Sequence, residues 1–324
     1  MTTAGGTILG AGDGPPSAQE SPGQMAQTGV SRRTAPLSRE QVERRLFKYA
    51  GRLFIMVATI LCVFPFYYML MIAVHNDQAV VSHPLGVLEP LGQLTLSSFK
   101  IVLTSPGSGG EGFLPFIRNS AFLAGLTVLG TLAVAVPGSY ALARYVFPGR
   151  GLIMAGFLVV YLFPSILLAI PLFVLFTRAH LVGSLPPVAI LYVAQTLPVA
   201  GYMLREYFAA IPIGVEEAAH VDGCTRWQTI RHITLPMSKP ALVSVAIYVF
   251  MIAWNEYLFA LLFLVANPSH WTVSLGLAEL SSDITISPPV LMAGSVVLTL
   301  PIIVLFFAVE RYLREGLVIG SEKG

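Results

Sequence analysis

The sequence predicts an all-α membrane protein with six transmembrane helices, and three observations carry that prediction. Of its 324 residues, 55% are hydrophobic and 11% charged, whereas soluble domains carry about 25% charged residues. Mean hydropathy is positive. Six apolar segments, at about 53–74, 117–142, 152–176, 186–205, 240–266 and 289–311, each approach or exceed the roughly 20 residues that a ~30 Å hydrocarbon core requires.

Residues 1–36 are rich in Gly, Ala, Pro, Ser, Thr and Gln, too poor in large apolar groups to offset their ordering entropy, and read as a disordered tail. They lack the basic start and apolar run of a signal peptide. The next stretch, 37–52, contains "LSREQVERRLFKYAGR". Ser38 and Gln41 stand at capping-box spacing, and Val42, Leu46 and Tyr49 follow at helical spacing. This predicts a short basic helix on the lipid surface, leading into the first span. Pro65, Pro137, Pro164 and Pro198 fall inside spans, where neighbouring helices can satisfy the backbone groups they free.

Orientation follows from charge. With a cytoplasmic N-terminus, the segments 1–52, 143–151, 206–239 and 312–324, with their adjoining helix ends, hold all but Lys100, Arg118 and Arg178 of the 19 Lys and Arg residues. This positive-inside bias places both termini in the cytoplasm. Cys62 sits in an apolar segment and Cys224 in a polar one, so neither a disulfide nor a metal-ligand pattern is expected. The six histidines are scattered without HExxH spacing.

The polar stretch 206–239 is far longer than the 2–8 residues of a tight helix–helix connection. In "REYFAAIPIGVEEAAHVDG", Pro212 precedes a helical pattern, Glu216 and Glu217 lie early in it, and Gly223 stands where it must stop. "TRWQTIRHI" resumes helical character, with Trp227, Ile230 and Ile233 or Thr234 on one face, and "LPMSKP" turns the chain back to the membrane. The result is a helix, a glycine-centred bend and a helix, a shape suited to helix-in-groove docking.

These residues resemble a known family. Glu217, Ala218 and Ala219, then Asp222 and Gly223, then Ile233, Leu235 and Pro236 match the EAA signature of the membrane subunits of binding-protein-dependent ATP-binding cassette (ABC) importers. "FMIAWNEYLFALLFL" and the closing "GLVIGSEKG" resemble the carbohydrate-uptake branch, specifically the six-span second permease subunit of maltose-type systems. The resemblance covers about 40–324. It implies the type I importer permease fold, with the EAA stretch as a cytoplasmic coupling helix seated in a cleft of an ATPase subunit. Glu217 would face a basic group there, Ala218 and Ala219 would permit close approach, and Gly223 would allow the bend with Asp222 bonding across it.

The chain lacks G-x-x-x-x-G-K-[ST], so nucleotide phosphates cannot be cradled in the P-loop manner. The resemblance supplies the missing parts: an ABC ATPase dimer that carries ATP and Mg, a second permease subunit forming a heterodimer with this one, and an extracytoplasmic sugar-binding protein. No cofactor is expected on this chain itself, and no nucleic acid. Membrane lipid is a further partner, and the bacterial cytoplasmic membrane the expected location. The C-terminal tail, with Gly320 and Lys323, would reach the ATPase.

Inside the spans, Gln195, Asn255, Glu256 and Tyr257 are the candidate pathway residues. A charged residue in mid-membrane costs on the order of 3 kcal/mol, so Asn255 and Glu256 must face protein or a water-filled cavity; either lining the pathway or bonding to neighbouring helices satisfies that demand. Tyr161, Tyr192 and Tyr248 are candidate stacking surfaces for a sugar ring. The stretch 267–288 is too long for a plain turn, and by resemblance would reach into the docked binding protein. A self-sufficient secondary transporter or channel would carry an internal repeat and coupling-ion sites, and no clear similarity relates the two halves. An intramembrane enzyme finds no G-x-S-x-G, HExxH or paired carboxylates to support it.

Overall fold

The computed structural model describes residues 39–82 and 94–321. Two compact units divide the chain, residues 1–58 and 59–324. Every helix or strand assigned among the described residues is helical. The first helix, α1, runs Arg39–Ala73, about 52 Å at 1.5 Å per residue, so the expected surface helix and first span carry one continuous assignment. The capping residue expected at Ser38 lies outside the described residues. Two short helices follow, α2 (Asp77–Ser82) and α3 (Ser97–Leu103).

The centre of the second unit is the pair α4 (Phe113–Arg144) and α7 (Leu185–Ala210), joined by α5 (Arg150–Leu162) and α6 (Ser165–Arg178). Small and hydroxylated residues explain why these two helices approach so closely. A Cβ on Gly130 would stand 2.8 Å from the Val193 methyl. Thr131 and Thr196 share a buried hydroxyl hydrogen bond of 2.8 Å, and Ser139 donates to the Gly201 carbonyl at 2.8 Å. Such contacts replace the hydrophobic drive that lipid cannot provide between helices.

Against this pair pack α11 (Lys239–Asn255), α12 (Leu258–Leu264), α13 (Val273–Ser282) and α14 (Pro288–Ser321). Trp254 anchors α11, stacked on Phe250 at 5.5 Å and donating from Nε1 to the Leu298 carbonyl at 2.9 Å, in the turn ahead of Pro301. The outward faces stay apolar and exposed, as on Leu129, Leu152 and Phe307, which is the pattern of surfaces meant for lipid or partner helices.

Four helices among the described residues are long and apolar enough to cross a membrane, and two sharply bent pairs bring the number up to six. Two sequence expectations need correction. The third expected span, 152–176, is not straight: α5 and α6 meet at 94°, because Pro164, in extended conformation, lacks the N–H that would carry α5 onward. Pro65, Pro137 and Pro198, by contrast, stay inside continuous helices. The fifth, 240–266, breaks at Glu256, whose backbone is extended. The sixth expected span, 289–311, matches the apolar part of the last helix, Pro288–Glu310, and that helix continues to Ser321, taking in Gly320; Lys323 lies outside the described residues.

Candidate functional site

The polar stretch folds as the sequence predicts in outline and differs in which residues face outward. Pro212 caps α8 (Ile213–Val221), and the helix stops at Gly223, whose φ of +87° is left-handed. The bond across this turn comes from backbone and His220: Cys224 N–H donates to the Ala219 carbonyl at 2.9 Å, and His220 Nδ1 lies 3.0 Å from the Cys224 carbonyl. No such bond is made by the Asp222 side chain. Thr225 and Gln228 then form a reciprocal capping box, a T-x-x-Q signal visible in the sequence. The chain continues through α9 (Arg226–Thr229), a π-turn (Ile230–Thr234) and α10 (Leu235–Met237), then bends 73° into α11. Thr229, Thr234 and Ser238 face inward, while Trp227 is 67% exposed.

What holds this loop to the helices is a residue the signature does not contain. Glu216 is 6% exposed. Its Oε1 accepts from Arg144 Nε at 3.0 Å, Arg144 Nη2 at 2.9 Å and Thr234 Oγ1 at 3.1 Å, and its Oε2 accepts from Tyr140 Oη at 3.0 Å. Arg144 also donates to the Ile211 carbonyl at 3.1 Å. One carboxylate, accepting from four donors on its two oxygens, therefore ties α8, the π-turn and the end of α4 together. Arg226 adds a second tether, lying against the Tyr145 ring and donating to its hydroxyl at 3.0 Å.

With Glu216 and Ala219 turned inward, α8 presents Glu217, Ala218 and Val221 outward, alongside Asp222 and Gly223. Ala219, expected with Ala218 to permit close approach of the ATPase, is 4% exposed and packs within the loop itself. Ile233 and Leu235 are half-buried and Pro236 is exposed.

The candidate pathway residues do not form one cluster. Glu256 folds back as the cap of α12, accepting from Phe259 N–H at 2.9 Å and Ala260 N–H at 3.2 Å, and from Tyr192 Oη at 2.7 Å. Tyr192 is fully buried, which removes it as a stacking surface. Asn255 and Tyr257 are exposed, and Asn255 donates to its own helix at Met251. Gln195 alone of the four lines a cavity of about 420 Å³ at the α5–α6 bend, together with Tyr161 and Tyr248.

The stretch 267–288 is not a free loop. Asn119 donates to the Ser269 and Trp271 carbonyls at 2.8 and 3.0 Å, Ser120 accepts from Val273 N–H at 2.8 Å, and α13 buries Val273 and Leu275 completely. The exposed residues of the stretch are Pro268 and Ser269 near the start, and 281–285 and Pro288 at the far end, where Ile284 is 99% exposed. There Asp283 accepts from the Thr285 N–H and hydroxyl, bonds that hold its carboxyl below the usual range.

A bundle of apolar helices with small-residue contacts, broken spans and a tethered polar loop has the form of a multi-pass helical membrane protein. Residues 135–317 match the family described as binding-protein-dependent transport system inner membrane component. The chain is 37% identical to the inner membrane ABC transporter permease protein YcjP of Escherichia coli, over 86% of this chain and 97% of that protein. It is 33% identical to the trehalose/maltose transport system permease protein MalG of Thermococcus litoralis, over 88% and 99%. It is 32% identical to the diacetylchitobiose uptake system permease protein DasC of Streptomyces coelicolor, over 81% and 92%. The fold is shared with a chain of a bacterial ABC transporter that imports the acidic polysaccharide alginate, at a TM-score of 0.70 and 22% identity, covering 83% and 97% of the two chains. The chain belongs to the family of binding-protein-dependent transport system inner membrane components.

Proposed function

We propose that this chain is one permease subunit of an ATP-driven carbohydrate importer. It pairs with a second permease to form the pathway, receives solute from an extracytoplasmic binding protein, and takes its energy from an ABC ATPase dimer that holds ATP and Mg. The observation that carries the reading is the tethered loop 211–238, whose outward face bears Glu217, Ala218, Val221 and a glycine turn. An exposed, rigidly held apolar and acidic knob is the form a docking element takes. Glu217 meets a basic group of the ATPase, Ala218 permits close approach, and the Glu216 tether passes the motion to α4. Ile233, Leu235 and Pro236 shape the return of the loop. The charge bias supports a cytoplasmic location for both termini, and with it a place for the C-terminal residues around Gly320 and Lys323 on the ATPase side. The carbohydrate class rests on the relatives named for trehalose/maltose and diacetylchitobiose.

The test is uptake of labelled maltose and trehalose by vesicles holding this chain, its partner permease, the ATPase and the binding protein. Uptake that requires ATP and all four components is expected. Uptake by this chain alone, indifferent to ATP, would overturn the proposal in favour of a secondary transporter.

A further inference from the structure

Where α5 gives way to α6 at a 94° bend, α7 and α11 form the other walls of a half-open cavity of about 420 Å³, within the range of roughly 300–1,000 Å³ common to small-molecule sites. Four rings line it, those of Tyr161, Phe163, Tyr248 and Phe259, with the polar groups of Ser165 and Gln195 among them. Gln195 Oε1 is buried and accepts no hydrogen bond from the described residues. Buried acceptors in folded proteins are nearly always paired, and an orphan calls for a donor from outside the chain. The hydroxyls of Tyr161, Ser165 and Tyr248 likewise make no hydrogen bond with the described residues, so four polar groups stand ready around one space.

Charge narrows the occupant further. None of the residues lining the cavity is ionisable as a carboxylate, ammonium or guanidinium; Glu256, nearby in sequence, is turned away to cap α12. A phosphate, an amino-acid zwitterion or a uronic acid would enter such a space with its charge uncompensated. A neutral pyranose suits it: its C–H face packs on aromatic rings, and its hydroxyls donate to Gln195 and exchange hydrogen bonds with tyrosine and serine.

We infer that this cavity is a solute subsite carried by this chain itself, selective for a neutral sugar ring, with Gln195 as its hydrogen-bond acceptor and Tyr161 and Tyr248 as its flanking rings. The inference rests on the carbohydrate reading above and adds a site and a selectivity to it. The subsite sits at the bend, so a change in the angle between α5 and α6 alters its width and couples occupancy to the helix movement that transport needs.

The experiment uses the complete importer in vesicles, with labelled maltose and trehalose as neutral probes and a labelled uronate disaccharide as the acidic one. Gln195→Leu removes one neutral hydrogen bond and is expected to raise the KM for uptake about tenfold, and Tyr161→Ala to raise it similarly, with kcat changed less. Leu152→Ala, on an exposed part of α5, should leave both constants near those of the unsubstituted protein. In a second arm Cys62 and Cys224 are replaced by Ser, Ser165→Cys is introduced, and labelling by an uncharged, hydrophilic thiol reagent is followed in the assembled complex. Labelling that maltose slows and the uronate does not is expected. Saccharide uptake with unaltered KM in both cavity variants, or a Cys at 165 that the reagent cannot reach, would overturn the subsite while leaving the importer reading intact. Absence of any ATP-dependent saccharide uptake by the unsubstituted complex would overturn both.

Discussion

Replacing Glu216 by Leu tests whether a single carboxylate holds the polar loop 211–238 to the helices. The substitution keeps side-chain bulk but removes the acceptor for Arg144, Tyr140 and Thr234 at once. Arg144 and Glu216 side chains are 9% and 7% exposed, so this is a buried pair, and removing one partner of such a pair costs about 3–5 kcal/mol because the other charge is left uncompensated. Arg144 retains the Ile211 carbonyl, which pulls the expectation toward the lower end. Since about 1.4 kcal/mol is a factor of ten, opening of the loop should rise between roughly a hundredfold and several thousandfold. Hydrogen exchange of amides 213–224 in nanodiscs reads this directly. Adding Arg144→Met removes the orphaned charge, and the pair of apolar residues should restore more than half of the lost protection, because an apolar replacement of a buried ion pair is often close to neutral. Exchange within threefold of the unsubstituted protein in Glu216→Leu, or a double variant no better protected than the single one, would refute the tether.

Three further outcomes follow from the geometry. Gly223→Ala meets open space around its Cβ, so its effect comes from a φ of +87° alone, about 1–2 kcal/mol; Gly223→Pro also loses the N–H that bonds the His220 carbonyl, and reconstituted complexes carrying it should hydrolyse ATP without matching uptake. Glu256→Gln keeps one acceptor for the α12 amides and should lower stability by about 1 kcal/mol, whereas Glu256→Ala, leaving Tyr192 and two amides unpaired, should cost about 2–4 kcal/mol; a change in solute KM with no change in melting temperature would instead make Glu256 a pathway residue. Gly276→Ala would place a Cβ 2.5 Å from the Phe116 ring, and the displacement of α13 from α4 should cost about 1–3 kcal/mol, measurable as a drop in thermal stability of the purified protein.

The membrane class was legible because hydropathy is a property of composition and needs no partner. The bent helical form of the polar loop was legible too, since Pro212 and Gly223 are local signals and a left-handed φ at the end of α8 demands glycine. The two helix breaks differ in this respect. Pro164 advertised itself but looked the same in sequence as Pro137 and Pro198, which stay helical, so only packing decided which proline bends the chain. The break at Glu256 has neither Gly nor Pro; its signal was a lone carboxylate within 240–266, whose use as a cap for α12 depends on Tyr192 from α7.

Adjacent glutamates show the division most plainly. The sequence by itself determined that a charged, glycine-bent helical loop interrupts the membrane spans, and it singled out Glu217 through the spacing of its neighbours. It could not determine that Glu216 turns inward to Arg144, Tyr140 and Thr234, because those partners lie 72, 76 and 18 residues away. Nor could it place Gln195 beside Tyr161 and Tyr248, which the bend of α5 on α6 brings to one cavity. Periodicity assigns a residue to a helix face, but which face meets another helix, and which polar atom is left without a partner there, is fixed only when the helices pack.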